Sequence, residues 1–195
     1  VRPRRIADID KGTFRKSVEG DHEAIGSKLA SDYLQAMKNA EPVSLKLAAC
    51  AGSFQAPRDN TRIESLDHWK TMASSDSEQE RNFGSYWLRR IENDLPLARA
   101  VPWEIGIVRL TDERSAVWMA GEVCAEWLPL LREWLDDDRV FGIGYCQDLP
   151  SYLPTATLIE EGGYEVERSN WYRKTGPAPY ATTIESHARE GFAKI

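Results

Sequence analysis

The chain has 195 residues, 42% hydrophobic and 29% charged, with 25 Lys and Arg against 31 Asp and Glu. That composition excludes the disordered and fibrous classes. A net charge of −6 gives no concentrated basic face for a nucleic-acid backbone, and no apolar run approaches the roughly 20 residues of a membrane-spanning helix.

The sequence opens on Val1 without a signal peptide, which reads as a cut or processed end and leaves the compartment open. The basic cluster Arg2-Pro3-Arg4-Arg5 is too short to carry a nucleic-acid site. Residues 1–20 show no periodicity and read as an irregular opening segment. Asp21 then serves as a candidate N-cap, and Ile25, Leu29, Tyr33, Leu34 and Met37 recur at helical spacing as far as Asn39. A strand is expected over 43–54, a polar surface connection over 57–75, and a second helix over 77–95 with Phe83, Trp87, Leu88, Ile91 and Leu95 on one side.

Strands follow over 102–110 and 115–120, joined by a tight turn. Gly121 breaks the run. A helix is predicted over 122–135, because Val123, Trp127, Leu130, Leu131 and Trp134 fall on one helical face. Asp136-Asp137-Asp138 stops it, since negative charge at a helix C-terminus opposes the macrodipole. A short glycine-punctuated strand is expected over 140–145. Trp87, Trp127 and Trp134 read as core rather than as a sugar-stacking surface. There is no internal repeat or linker, so the chain is expected to be a single domain, or part of a larger one.

The unit of strand 115–120, helix 122–135 and strand 140–145 predicts an α/β fold, a mixed sheet with a parallel strand–helix–strand unit and flanking helices. Two parallel strands end on the same sheet edge, where ligands bind in open α/β sheets. Glu122 follows the first strand, and the loop from Gln147 to Tyr152 follows the second, so both are expected at that edge. A first-turn helix position favours an ionised Glu122, a good oxygen ligand for Zn²⁺. On spacing alone Glu122 reads first as a capping residue and Tyr152 as a packed loop aromatic. Tyr145 and Gln147 could line the edge, though a strand tyrosine is ordinarily core. Cys50, Cys124 and Cys146 lie in apolar stretches without CxxC spacing and are expected as buried free thiols, one disulfide plus a free Cys being the alternative. His22, His68 and His187 are scattered and form no histidine pair of metal-binding spacing.

The segment Ala120-Gly121-Glu122, then Tyr145, then Ser151-Tyr152-Leu153-Pro154-Thr155, then Glu161-Gly162-Gly163-Tyr164-Glu165-Val166 resembles the neutral/alkaline ceramidase family, in particular bacterial proteins carrying its catalytic domain. The resemblance extends from about Asp21 to the end and is specific over 120–166. It implies that the chain is the C-terminal part of a ceramidase-like catalytic domain, and that one Zn²⁺ is held by two histidines, a glutamate matching Glu122 and a tyrosine matching Tyr152. It also implies that Tyr164, twelve positions after Tyr152, helps to stabilise the oxyanion. The implied activity is hydrolysis of the amide bond of ceramide, another N-acyl lipid or a small amide, in an exported, periplasmic or extracellular setting. The family's two histidines and its serine lie upstream of the resembled part, so an N-terminal part of the domain is an implied partner. Within the chain, His68 and His187 are the candidates to complete a metal site. Ser17-Val18-Glu19-Gly20-Asp21 has a Ser-x-x-Gly-Asp spacing but lacks the family's Asn, so Ser17 is not a candidate catalytic residue. Ala120 stands where the family has Pro, and Ser151 where it has Gly. The alternative expectation is a non-catalytic ligand- or protein-binding domain on the same scaffold.

Overall fold

The computed structural model describes residues 5–8, 13–16, 18–173 and 176–195; Arg2, Pro3, Arg4 and Ser17 lie outside the described residues. The chain forms two compact units, Val1–Ser44 and Leu45–Ile195. In the first, β1 (Arg5–Asp8) and β2 (Thr13–Lys16) pair antiparallel, where the sequence reads as irregular. Four-residue strands are too short to display a period of two. The helix α1 (Asp21–Lys38) forms as its spacing predicts. Its N-cap is Gly20 rather than Asp21, whose carboxylate reaches back to accept from the Val18 N–H at 2.6 Å. Its apolar residues Ile25, Leu29, Tyr33, Leu34 and Met37 are all exposed.

The second unit begins with β3 (Ala48–Pro57), displaced from the expected 43–54. Its bounds are set by its partner, because all ten residues pair antiparallel with β4 (Ala100–Arg109) and bring Phe54 opposite Trp103. The stretch expected as a surface connection holds α2 (Asn60–Glu64) and α3 (Leu66–Ala73), capped by Asp59 and Ser65. With α4 (Glu78–Glu92), whose Ser77 cap accepts from the Glu80 N–H, α3 encloses a core of Trp69, Met72, Phe83 and Trp87.

β5 (Ser115–Met119) pairs antiparallel with β4 and parallel with β7 (Phe141–Ile143), giving the order β3-β4-β5-β7. This is the mixed α/β sheet that the sequence predicts. Its crossover differs in detail. Glu122 and Val123 form a two-residue strand, β6 (Glu122–Val123), and the helix α5 (Trp127–Leu135) starts only after it. Pro129 explains the later start: it falls in the first turn of α5, where its missing N–H costs nothing, whereas a helix from 122 would put it in the interior. Asp136 ends α5 in a left-handed conformation, φ 51°.

The remaining elements are β8 (Tyr152–Leu153), α6 (Ala156–Glu161), a π-helical turn Tyr164–Arg168, α7 (Ser169–Arg173) and α8 (Ile184–Phe192). Phe54, Trp103, Ile105, Met119, Trp127 and Ile184 centre the main core. Trp87 and Trp127 are buried and Trp134 packs against that core, as expected. The three cysteines are free but half-buried rather than buried.

Gly121 sits at φ +75°, and a Cβ there would collide with the Trp103 ring and stand 2.8 Å from the Ser151 carbonyl oxygen. Positive φ and lack of space both demand glycine. We expect Gly121→Ala to lower stability by about 2 kcal/mol or more in urea unfolding. Gly142→Ala, with its nearest neighbour 3.6 Å away, should change stability by less than about 1 kcal/mol.

Candidate functional site

The chain leaves the sheet at the end of β5 through Ala120 and Gly121, and three hydrogen bonds fix where it goes. The Trp103 indole N–H donates to the Ala120 carbonyl at 2.8 Å. The Gly121 N–H donates to the Asp148 carbonyl at 2.9 Å, and the Gly121 carbonyl accepts from the Tyr145 N–H at 2.8 Å. One glycine therefore pins the β7–β8 loop at two points, Tyr145 and Asp148.

β6 then pairs parallel with β8, Glu122 opposite Tyr152 and Val123 opposite Leu153. Glu122 N–H donates to the Ser151 carbonyl at 3.0 Å and Cys124 N–H to the Leu153 carbonyl at 3.2 Å. Residues in register across a ladder present their side chains on the same face. Glu122 is thus a strand residue, which corrects the first-turn position expected for it; the N-terminus of α5 lies further along the chain.

The side chains meet. The Tyr145 hydroxyl donates to Glu122 Oε2 at 3.2 Å, and the Tyr152 hydroxyl is also hydrogen-bonded to the Glu122 carboxylate. A carboxylate only accepts, so both phenols donate to it. The hydrogen bond to Glu122, followed by burial and the charge of Glu122, holds the Tyr152 phenol well above the ordinary tyrosine range. Tyr152 is therefore a protonated donor. The Tyr164 ring stands edge-on to that of Tyr152, with centroids 6.0 Å apart. The twelve-residue spacing between them has a physical origin. The chain runs from β8 through the Thr155 cap and six residues of α6, then reverses through Gly162 and Gly163 at φ 74° and 105°.

Tyr145 is 68% exposed at φ 59°, against its expectation as core. β7 stops at Ile143, so Tyr145 is a loop residue, and the glycines at 142 and 144 are the signal that this strand ends early. Gln147 lies in the same loop at φ 62°. Cys124, just beyond β6, is pushed up to about 11, by burial first and then by Glu126, Glu165 and Glu122, so it carries its proton as a thiol. Behind β6, a cavity of about 190 Å³ is lined by Val117, Met119, Val123, Trp127, Leu131 and Gly144, among others.

Neither histidine candidate joins this cluster. His68 packs edge-on against Trp69, and the His187 ring hydrogen-bonds to the Thr183 carbonyl of its own turn at 2.9 Å. A zinc site takes four ligands, or three and a water. Glu122 and Tyr152 offer two converging oxygens, but among the described residues no group of three His, Cys, Asp or Glu could hold a metal ion. The described residues fit as part of a donor set and do not complete one. No protein-family model, curated protein or solved structure matches the chain.

The raised Tyr152 phenol makes the fold favour its protonated form. Its contribution to stability is complete below the ordinary tyrosine value of about 10 and is lost as pH rises above it. In a residue-resolved ¹³Cζ NMR titration, Tyr152 should lose its proton above that value in the native chain, and at a lower pH than the native chain in Glu122→Gln, where burial still raises it. An unchanged Tyr152 titration in Glu122→Gln would contradict the pairing.

Proposed function

We propose that this chain is the C-terminal part of a ceramidase-like zinc amidase domain, which hydrolyses the amide bond of ceramide or another N-acyl lipid. One observation carries the reading. Glu122, Tyr152 and Tyr164, separated in sequence, converge at the sheet edge, and they are the residues that the motif resemblance assigns to one site. Glu122 and Tyr152 are the two oxygen ligands in this reading, and histidines from an upstream part of the domain would complete the set. Zinc in such a site polarises an amide carbonyl and lowers the pKa of bound water.

The chain's own residues have separate tasks. Glu122 accepts from Tyr145 and Tyr152 and so holds both hydroxyls on one side of the ladder. Tyr164, 43% exposed beside Tyr152, has a hydroxyl that can donate to an oxyanion formed from the amide carbonyl.

The test measures zinc content and fatty-acid release from an N-acyl sphingoid lipid, using the protein expressed from its complete reading frame. We expect about one zinc per chain and measurable hydrolysis. Glu122→Ala and Tyr152→Phe should each weaken zinc binding by about 100-fold or more, while Tyr164→Phe should keep the zinc and lose turnover by about 100-fold. Absence of both zinc and hydrolysis in the folded protein would sink this reading in favour of a non-catalytic binding domain.

A further inference from the structure

Arg58 follows β3 and is 1% exposed, a position that a guanidinium occupies only when it is held by specific partners. Its Nη1 donates to the Ala178 carbonyl at 2.6 Å, and its Nη2 reaches the Tyr180 hydroxyl at 3.5 Å. The guanidinium carbon also lies 4.4 Å from the Tyr180 ring centroid, a cation–π distance. Backbone bonds pin the same segment, Ala181 N–H to the Pro57 carbonyl and Asp59 N–H to the Pro179 carbonyl, both at 2.9 Å. The glycine at 176 is required here, because a Cβ would run into the guanidinium.

From Tyr180 the contacts lead to the site strand. The Tyr180 and Ser151 hydroxyls are 2.8 Å apart, and Ser151 Oγ donates to the Tyr152 carbonyl at 2.8 Å. The direction of this chain is set by chemistry. Arg58 can only donate, and Ser151 uses its one proton on Tyr152, so Tyr180 must donate to Ser151. Ser151 also supplies the carbonyl that accepts from the Glu122 N–H. Its hydroxyl and its carbonyl thus hold the two sides of the β6–β8 ladder.

We propose that Arg58, Tyr180 and Ser151 form a buried, one-directional hydrogen-bond relay that positions β8 and keeps Tyr152 in register with Glu122. All three are positioning residues. The relay also gives a function to the serine at 151, which stands where the resembled motif has glycine: glycine would leave the Tyr180 hydroxyl, in a residue 2% exposed, without this acceptor. The inference does not rest on the zinc reading, and its test needs no metal or substrate.

The readout is amide hydrogen exchange of the chain. Tyr180→Phe keeps the ring over Arg58 and against Trp103 (centroids 5.8 Å apart) and removes only the hydroxyl. We expect the Glu122 and Cys124 amides to exchange about tenfold faster in this variant, with the β4–β5 ladder within about twofold of the parent chain. Ser151→Ala should reproduce that local effect, and the double variant should add little to either single one, because both break the same chain. Should Tyr180→Phe fail to fold, Ser151→Ala alone decides. Parent-like exchange at Glu122 and Cys124, or an equal acceleration across the β4–β5 ladder, would overturn the proposal.

Discussion

Everything distinctive in this molecule depends on a parallel ladder only two residues long. β6 and β8 could not hold each other in water, since so short a pairing buries little and fixes several backbone dihedrals. They persist because larger elements position both. Behind β6 stands the main sheet, whose central strand β4 carries Trp103, and the indole of Trp103 holds the Ala120 carbonyl where the chain turns out of β5. Behind β8 stands α5, whose Trp127 indole donates to the Leu153 carbonyl at 2.9 Å. Two fully buried tryptophans thus act as core and as donors at once, each bonded to a main-chain carbonyl beside the ladder.

This arrangement separates stability from chemistry. The burial that supports the fold lies in the Trp103–Trp127 core and in the second cluster around Trp69 and Trp87. The acid–phenol cluster sits on the edge those cores create, and its side chains are half-buried or exposed. Such a site can change its polar residues at small cost to the fold, whereas the turn at Gly121 cannot move without displacing Tyr145, Asp148 and Ser151 together.

The sheet was legible where periodicity and length agree. Strands 102–110 and 115–120 and the helix over 77–95 lie within a few residues of β4, β5 and α4. The parallel return of β7 follows from the helix between it and β5. What escaped was decided by partners distant in sequence or by elements too short for a period. Pairing with β4 moved β3, and β1, β2, β6 and β8 are only two to four residues long. The helices at 60–64 and 66–73 were signalled by Asp59 and Ser65 as caps, but the polar residues around them masked the buried Ile63, Trp69 and Met72. The start of α5 was written in Pro129, which belongs in a first turn. For the site, the common edge of Glu122 and Tyr152 was readable from strand direction alone, and Tyr164 came from the motif resemblance rather than from spacing. Tyr145 was offered at that edge beside the commoner core reading, whereas its bond to Glu122 and the Arg58–Tyr180–Ser151 relay required coordinates, because segments far apart in sequence meet there.

The central claim is that the Glu122–Tyr152 pairing exists as a hydrogen-bonded ladder, and through-hydrogen-bond scalar couplings in NMR test it most directly. The account predicts couplings from the Glu122 amide nitrogen to the Ser151 carbonyl carbon and from the Cys124 amide nitrogen to the Leu153 carbonyl carbon. Absence of both couplings, with a coupling from the Ala125 amide nitrogen to the Gly121 carbonyl carbon instead, as a helix beginning at 122 would give, would contradict the account and return Glu122 to a first helical turn.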